Sequence, residues 1–244
     1  MGLGDELMAA GEARRRRRTD PRRVRIVGLD GRPRWHAIWD GHPDIARLDE
    51  QGDFQSLANG PGCRPYLVRY TRTERVWRPY QPEPAYVALT PAQLAFGRAY
   101  TGHVIIEPNC KPAASPNKQW GWDRWQSLVA AAPSIPWAQL GPVGTRLLDG
   151  VRHIETPDIR SAAAVLHYAA AYVGPEGGLH HLAAAMGRPA VVLFGGYISP
   201  GQTGYAWHRN LFTGGEPCGL MLPCCHCAAA MAPISVAMVL DGLR

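Results

Sequence analysis

Tyr172–Gly196 reads YVGPEGGLHHLAAAMGRPAVVLFGG. An apolar run, a glycine turn, a helix-forming stretch and a second apolar run succeed one another, the order of a strand, a crossover helix and a parallel strand. In open α/β sheets ligands sit beyond the carboxyl ends of the strands, where the chain turns into the next helix. GPEGGLHH, Gly174–His181, occupies that place and carries two chemistries. Glu176, His180 and His181 offer a carboxylate and two imidazoles to a metal. Gly177 and Gly178 open a helix whose free N–H groups and positive dipole end suit a phosphate. The full dinucleotide fingerprint is missing, so a plain tight turn fits the glycines as well.

The same alternation continues outward. HVIIEPN (103–109) reads as a buried strand, GWDRWQSLVAAA (121–132) as an amphipathic helix, IPWAQLG (135–141) and VRHIET (151–156) as strands, and PDIRSAAAVLHYAAA (157–171) as a helix. Short β-rich runs separated by helices of about ten residues predict a parallel sheet with helices on both faces, a Rossmann-like half. Upstream, Asp5 is placed to cap a helix through ELMAAGEARRRRR, which Thr19-Asp20-Pro21 ends because proline cannot continue it. A strand is expected at VRIVGL (24–29). From Trp35 to Pro84 the chain is rich in Pro, Gly and Trp, and short strands such as PYLVRY between long loops are expected. Thr90-Pro91 opens a further helix, and AYTGH (99–103) after it divides the chain into an N-terminal domain, 1–98, and a C-terminal one, 99–244.

With 244 residues, 46% of them hydrophobic, the chain can bury a real core. No apolar run approaches the roughly 18 residues of a membrane span. The charges near the N-terminus come after a short apolar stretch instead of preceding it, so no signal peptide and a cytoplasmic location are expected. The formal charge of +6 owes five to Arg14–Arg18, a run that reads as a solvated or generally anion-attracting helix face. Four of the six cysteines lie between Cys218 and Cys227, unlike a secreted disulfide framework. Reduced thiols packed as small hydrophobes are expected there; Cys218, Cys224 or Cys225, and Cys227, with His226 or Cys63, are the alternative as a zinc or iron site, at a spacing that matches no standard finger.

Taken together, YVGPEGGLHHLAAAMGRPAVVLFGG, SPNKQWGWDRWQSLV (115–129) and GLGDELMAAG (2–11) resemble glycosyltransferase family 9, the heptosyltransferase-like enzymes of the GT-B fold. The resemblance is strong over Val104–Leu240 and the first eleven residues and poor between them. It implies an α/β protein of two facing Rossmann-like halves, the N-terminal one reduced and holding the acceptor, the C-terminal one holding the nucleotide sugar. It further implies an inverting, metal-independent transfer of a sugar, with ADP-heptose the usual donor and no cofactor besides that donor. Lys118 matches the lysine that neutralises the donor phosphates, His181 the histidine at the start of the phosphate-binding helix, and Asp5 the candidate general base. His180 has no counterpart and is expected to be exposed. Glu176 stands where aspartate is usual and Gly177 where threonine or serine is common. The resemblance decides the turn in favour of phosphate, with Lys118, Glu176, Gly177, Gly178 and His181 as donor-binding residues and no metal.

Members usually have a strand before GxGD, whereas here Met1 stands directly before it, so the acceptor half is either minimal or completed by a partner subunit. The expected partners are a nucleotide sugar and an acceptor of unknown identity, an anionic one among the alternatives. Nucleic acid is disfavoured, and a homo-oligomer stays open. Two other functions compete: a nucleotide-binding module without turnover, and a nucleic-acid-associated protein anchored by the arginine run and a metal-bound cysteine loop.

Overall fold

The computed structural model describes residues 2–111 and 116–244. In the N-terminal half, α1 (Leu3–Arg17) precedes β1 (Val24–Val27), β2 (Gln55–Ala58), the hairpin of β3 (Leu67–Tyr70) and β4 (Arg75–Trp77), and α2 (Pro91–Arg98). The second half runs β5 (Val104–Ile106), α3 (Trp122–Ala131), β6 (Trp137–Gly141), β7 (Arg152–Glu155), α4 (Ile159–Tyr168), β8 (Ala171–Pro175) and α5 (Gly178–Ala185). It closes with β9 (Ala190–Phe194), α6 (Pro200–Thr203), β10 (Arg209–Phe212), α7 (Cys225–Met231) and α8 (Val236–Asp241).

β5 to β10 form one six-stranded sheet in the order β10-β9-β8-β5-β6-β7, every neighbouring pair parallel. Period-two alternation sends Val104, Ile106, Val191 and Leu193 to a layer with Trp125, Leu128 and Val239. Ile105, Val192 and Phe194 go to the opposite layer with Val165, Leu182 and Leu7. Both faces of the central strands β5, β8 and β9 are therefore buried, which is why these three are apolar throughout, whereas the edge strands β7 and β10 bury one residue each. The order is that of a doubly wound sheet, and it reverses between β5 and β8, where such folds open a crevice for ligand.

The N-terminal half is reduced to α1, a two-stranded parallel sheet of β1 and β2, and the antiparallel β3–β4 hairpin. It shares one hydrophobic cluster with the α4 and α5 face, in which Leu7, Met8, Ile26 and Trp39 join Val165, Leu182 and Phe194. α2 carries the expected Thr90 cap and Pro91 start, and it packs on α4 so tightly that a Cβ at Gly97 would lie 2.1 Å from the Ala164 carbonyl oxygen.

Two expectations are corrected here. Asp5 does not cap α1: Gly2 is the N-cap, and Asp5, at the third helical position, turns its carboxylate back to accept the Gly2 N–H at 3.0 Å. The arginine run is not a free cationic face. Arg14 donates to the Pro84 carbonyl, Arg15 to that of Gln81, Arg16 to that of Ser56 while pairing with Glu12, Arg17 pairs with Asp44, and Arg18 forks onto Glu83. The run staples α1 to its own surroundings. No helix among the described residues is long and apolar enough to cross a membrane.

Two residues make this packing testable. A Cβ at Gly11 would lie 1.9 Å from the Glu83 carbonyl oxygen, so Gly11→Ala must push the 80–84 segment off α1. Overpacking of this kind costs about 1–3 kcal/mol, and the melting temperature is expected to fall by about 2–4 °C per kcal/mol; an unchanged melting curve would refute the contact. Glu107, just beyond β5, accepts the Asn109 N–H at 2.6 Å, and burial raises its carboxyl to about 7 from 4.5. Between those values the native chain binds the extra proton, so Glu107 makes stability fall as pH rises from about 4.5 to about 7. Glu107→Gln removes that component, and its stability gain over the unaltered chain, measured by urea unfolding, is expected to grow across this window and level off above it.

Candidate functional site

At the reversal point of the sheet the carboxyl ends of β5 and β8 open into a cleft of about 1230 Å³. Glu107, Lys118, Glu176, Gly177, Gly178 and His181 line it from the sheet side, Gly4 and Asp5 from the tip of α1, and Arg64, Tyr66, Arg75 and Trp77 from the hairpin side. All six residues singled out in the sequence thus face one cavity, although they come from three separate parts of the chain.

Two helix N-termini meet there. A Cβ at Gly4 would lie 2.9 Å from His181 Cδ2, and one at Gly178 would lie 3.0 Å from Leu3 Cβ. Glycine at both positions lets α1 seat its first turn on that of α5, and this contact brings Asp5 to the cleft. Gly177 is extended, with open space where a Cβ would project, so its role needs no glycine. The first N–H groups of α5 have no partner inside the helix, as at every helix start.

Glu176 is the hub. Its Oε2 accepts from the Lys118 ammonium, and Oε1 lies 3.4 Å from His181 Nε2. Burial alone would raise the Glu176 carboxyl, but the Lys118 charge and the His181 ring outweigh it and hold the group well below the usual carboxylate range. Burial alone would likewise lower Lys118, and the Glu176 charge overrides it and raises the ammonium. Lys118 Nζ also lies 5.2 Å from the centre of the Tyr197 ring. His181 Nδ1 sits 3.0 Å from the Tyr205 hydroxyl, a phenol that burial keeps protonated. The tautomer that suits both contacts accepts from Tyr205 at Nδ1 and donates from Nε2 toward Glu176.

His180 is buried, not exposed as expected from the sequence; it turns away from the cleft onto Phe194, Tyr205 and His208, and neither ring nitrogen has a hydrogen-bond partner. Burial holds its imidazole well below the ordinary range. Glu176, His180 and His181 do bring ligand atoms within 4.8 Å of one another. A cation among them would have to displace the Lys118 ammonium from Glu176, so the local charge favours an anion.

Asp5 is fixed by three donors: the Tyr66 hydroxyl at 2.7 Å on Oδ1, and Arg64 Nη2 at 2.9 Å and the Gly2 N–H at 3.0 Å on Oδ2. Arg64 and Tyr66 lie in the Pro/Gly-rich segment whose pattern offers no signal for them. Tyr205 is equally unmarked in the sequence.

Beside the cleft, Cys218, Cys224 and Cys227 bring their sulfurs within 4.8 Å of one another, with Cys218 and Cys227 Sγ 3.1 Å apart. All six cysteines are free thiols, and these three form a cluster that Cys63, Cys225 and His226 do not join. Cys224 and Cys227 stand in C-x-x-C spacing, a signal that the expectation of no standard metal-site spacing passed over.

Comparison with known proteins bears on what such a cleft belongs to. Residues 156–220 match the model of glycosyltransferase family 9 (heptosyltransferase). No curated protein matches the chain in sequence. Among solved structures, the bacterial iron-containing dodecameric glycosyltransferase TibC from enterotoxigenic E. coli H10407 is 15% identical, with 100% of this chain and 75% of that one covered at a TM-score of 0.62. TibC has also been solved with ADP-D-beta-D-heptose. A family 9 glycosyl transferase from Veillonella parvula DSM 2008 is 12% identical over 86% of this chain and 82% of its own, with a TM-score of 0.58. E. coli ADP-heptose lps heptosyltransferase II is 17% identical over 67% of this chain, at a TM-score of 0.48, and the chain spans only 54% of its length. The chain thus resembles glycosyltransferase family 9, by its sequence over residues 156–220 and by a GT-B-type fold with a shortened N-terminal half.

Proposed function

We propose that the chain is an inverting glycosyltransferase that moves a sugar from a nucleotide-diphosphate sugar to an acceptor hydroxyl. One observation carries the reading: a carboxylate from the first helix, a lysine from the loop after β5 and the Glu176–His181 pair after β8 face one another across a single cleft. An ADP-sugar, heptose favoured, is the proposed donor, supported by the family match and by the ligand named for TibC.

Charge assigns the roles. The Lys118 ammonium has three donors; one is taken by Glu176 and the others are available to diphosphate oxygens. The open N–H groups of α5, with its dipole, add to the same anion site. These groups stabilise the nucleoside diphosphate as it leaves the anomeric carbon. Glu176, held ionised, keeps acceptor capacity for a sugar or ribose hydroxyl. Asp5 takes the proton of the attacking acceptor hydroxyl, its carboxylate already aimed by Tyr66 and Arg64. One displacement, with attack opposite the leaving group, inverts the centre.

The cysteine cluster supports a second proposal, that Cys218, Cys224 and Cys227 hold one iron or zinc ion beside the site. Three sulfurs are three-quarters of a tetrahedral set once the ion displaces their protons; backbone N–H groups of Cys227 and His226 hold the Cys224 thiol below its ordinary range, whereas burial pushes the Cys227 thiol well above it. TibC, which shares the fold, is iron-containing. The ion would be structural, bracing the loop.

Lys118→Ala is expected to weaken ADP binding by roughly ten- to a hundredfold while leaving adenosine binding nearly unchanged, since a charge-assisted contact is worth about 1.5–3 kcal/mol; equal ADP affinity would remove Lys118 from the site. With ADP-heptose and a competent acceptor, Asp5→Asn should retain donor binding and lose on the order of 10²- to 10⁴-fold in turnover. Near-normal turnover would leave the reaction without its base. Donor binding with no turnover by the unaltered chain under any acceptor would make it a binding module. Metal analysis of protein purified without chelator is expected to find about one equivalent of iron or zinc per chain, lost on replacing Cys224 and Cys227 by serine.

A further inference from the structure

Lys118 stands on a single 3₁₀ turn, Pro116–Lys118, between β5 and α3. One such turn is too short to hold its own shape. A lysine placed there would carry its charge on a flexible four-carbon stem and an unfixed backbone, yet the cleft needs the ammonium at one point. The neighbour, Asn117, supplies what the turn lacks.

Asn117 is buried, and its side chain makes three hydrogen bonds to one distant segment. Nδ2 donates to the Leu220 and Leu222 carbonyls, each at 2.7 Å, and Oδ1 accepts the Cys224 N–H at 3.0 Å. Two carbonyls at one end of the amide and an N–H at the other fix which end is nitrogen. The partner segment is itself tied down. The Cys218 N–H donates to the Gly196 carbonyl at 2.8 Å and that of Gly219 to Tyr197 at 3.1 Å, while Arg75 and Met221 N–H groups close bridges between this segment and the hairpin at 2.9 Å each. One loop therefore fixes the backbone beside Lys118, the turn carrying the Tyr197 ring under its ammonium, and the opposite wall of the cleft.

We propose that Asn117 is a positioning residue that sets the Lys118 ammonium in register with the donor diphosphate by clamping its turn to the 218–224 loop. The proposal rests on the reading of Lys118 as a diphosphate ligand and adds the residue that makes a single mobile charge usable there. Its effect on ADP binding is exerted through Lys118, and a double-mutant cycle separates that from a general packing role.

A double-mutant cycle on ADP affinity, measured by titration calorimetry with adenosine as the control ligand, tests this. Asn117→Ala is expected to weaken ADP binding about five- to thirtyfold with adenosine affinity within twofold of the unaltered chain. In a Lys118→Ala background the same substitution is expected to change ADP affinity by less than twofold. Asn117→Ser, which keeps one donor, carries the same cycle should thermal unfolding show the alanine variant not to fold. Additive losses, or a parallel loss of adenosine affinity, would overturn the positioning role and leave the diphosphate site standing. Failure of the unaltered chain to bind ADP would overturn that site and Asn117's role with it.

Discussion

The seating of α1 on α5 is the contact on which the rest depends. The two helices start at the same place, and they do so only because Gly4 lets His181 approach where a Cβ would collide, and Gly178 does the same for Leu3. Backbones that approach this closely bury little side chain at the contact itself, so the pair relies on the later turns of α1, where Leu7, Met8 and Ala10 enter the cluster that also covers Leu182 and Phe194. The first helix is thereby part of the sheet's own layering. This gives a shortened N-terminal half a core to belong to.

That contact creates an electrostatic arrangement that neither half has alone. Glu176 and Lys118 are almost wholly withdrawn from solvent, and a lone charge of either sign would be costly there. Each relieves the other, and His181, itself held by Tyr205, occupies the remaining oxygen. Asp5 opposite is held in a different way, by a phenol on one oxygen and a guanidinium and a backbone N–H on the other, which leaves acceptor capacity on the first. The cleft thus sets the Lys118–Glu176 pair and the start of α5 on one side against Asp5, held by Arg64 and Tyr66, on the other.

Most of the sheet is legible in the sequence because its central strands, β5, β8 and β9, are buried on both faces and therefore apolar without interruption, with capped or glycine-opened helices between them. HVIIEPN, IPWAQLG, VRHIET and PAVVLFGG all form strands, and GWDRWQSLVAAA and PDIRSAAAVLHYAAA form α3 and α4. β2 and β4 leave no such trace because QSLA and RVW bury only one residue in each, too little to set a period. Asp5 reads as a cap for a related reason: capping residues at the N-cap and acidic residues in the first turn are both favoured, and sequence spacing does not separate them.

What the sequence determined by itself was everything encoded locally: the strand and helix alternation, the glycine turn before α5, and the identity of the charged residues beside it. Only the tertiary structure decided what those residues face. Arg14–Arg18 looked like a free cation until folding brought Asp44, Glu83 and the carbonyls of 81–84 to it, and His180 looked exposed until the layer behind α5 closed over it. Cys218, Asn117 and Lys118 belong together only because a segment about a hundred residues away folds back onto the turn after β5. Hydrogen bonds and ion pairs of that sequence separation leave no period in the chain, because each is set by the geometry of two elements and not by the spacing within one.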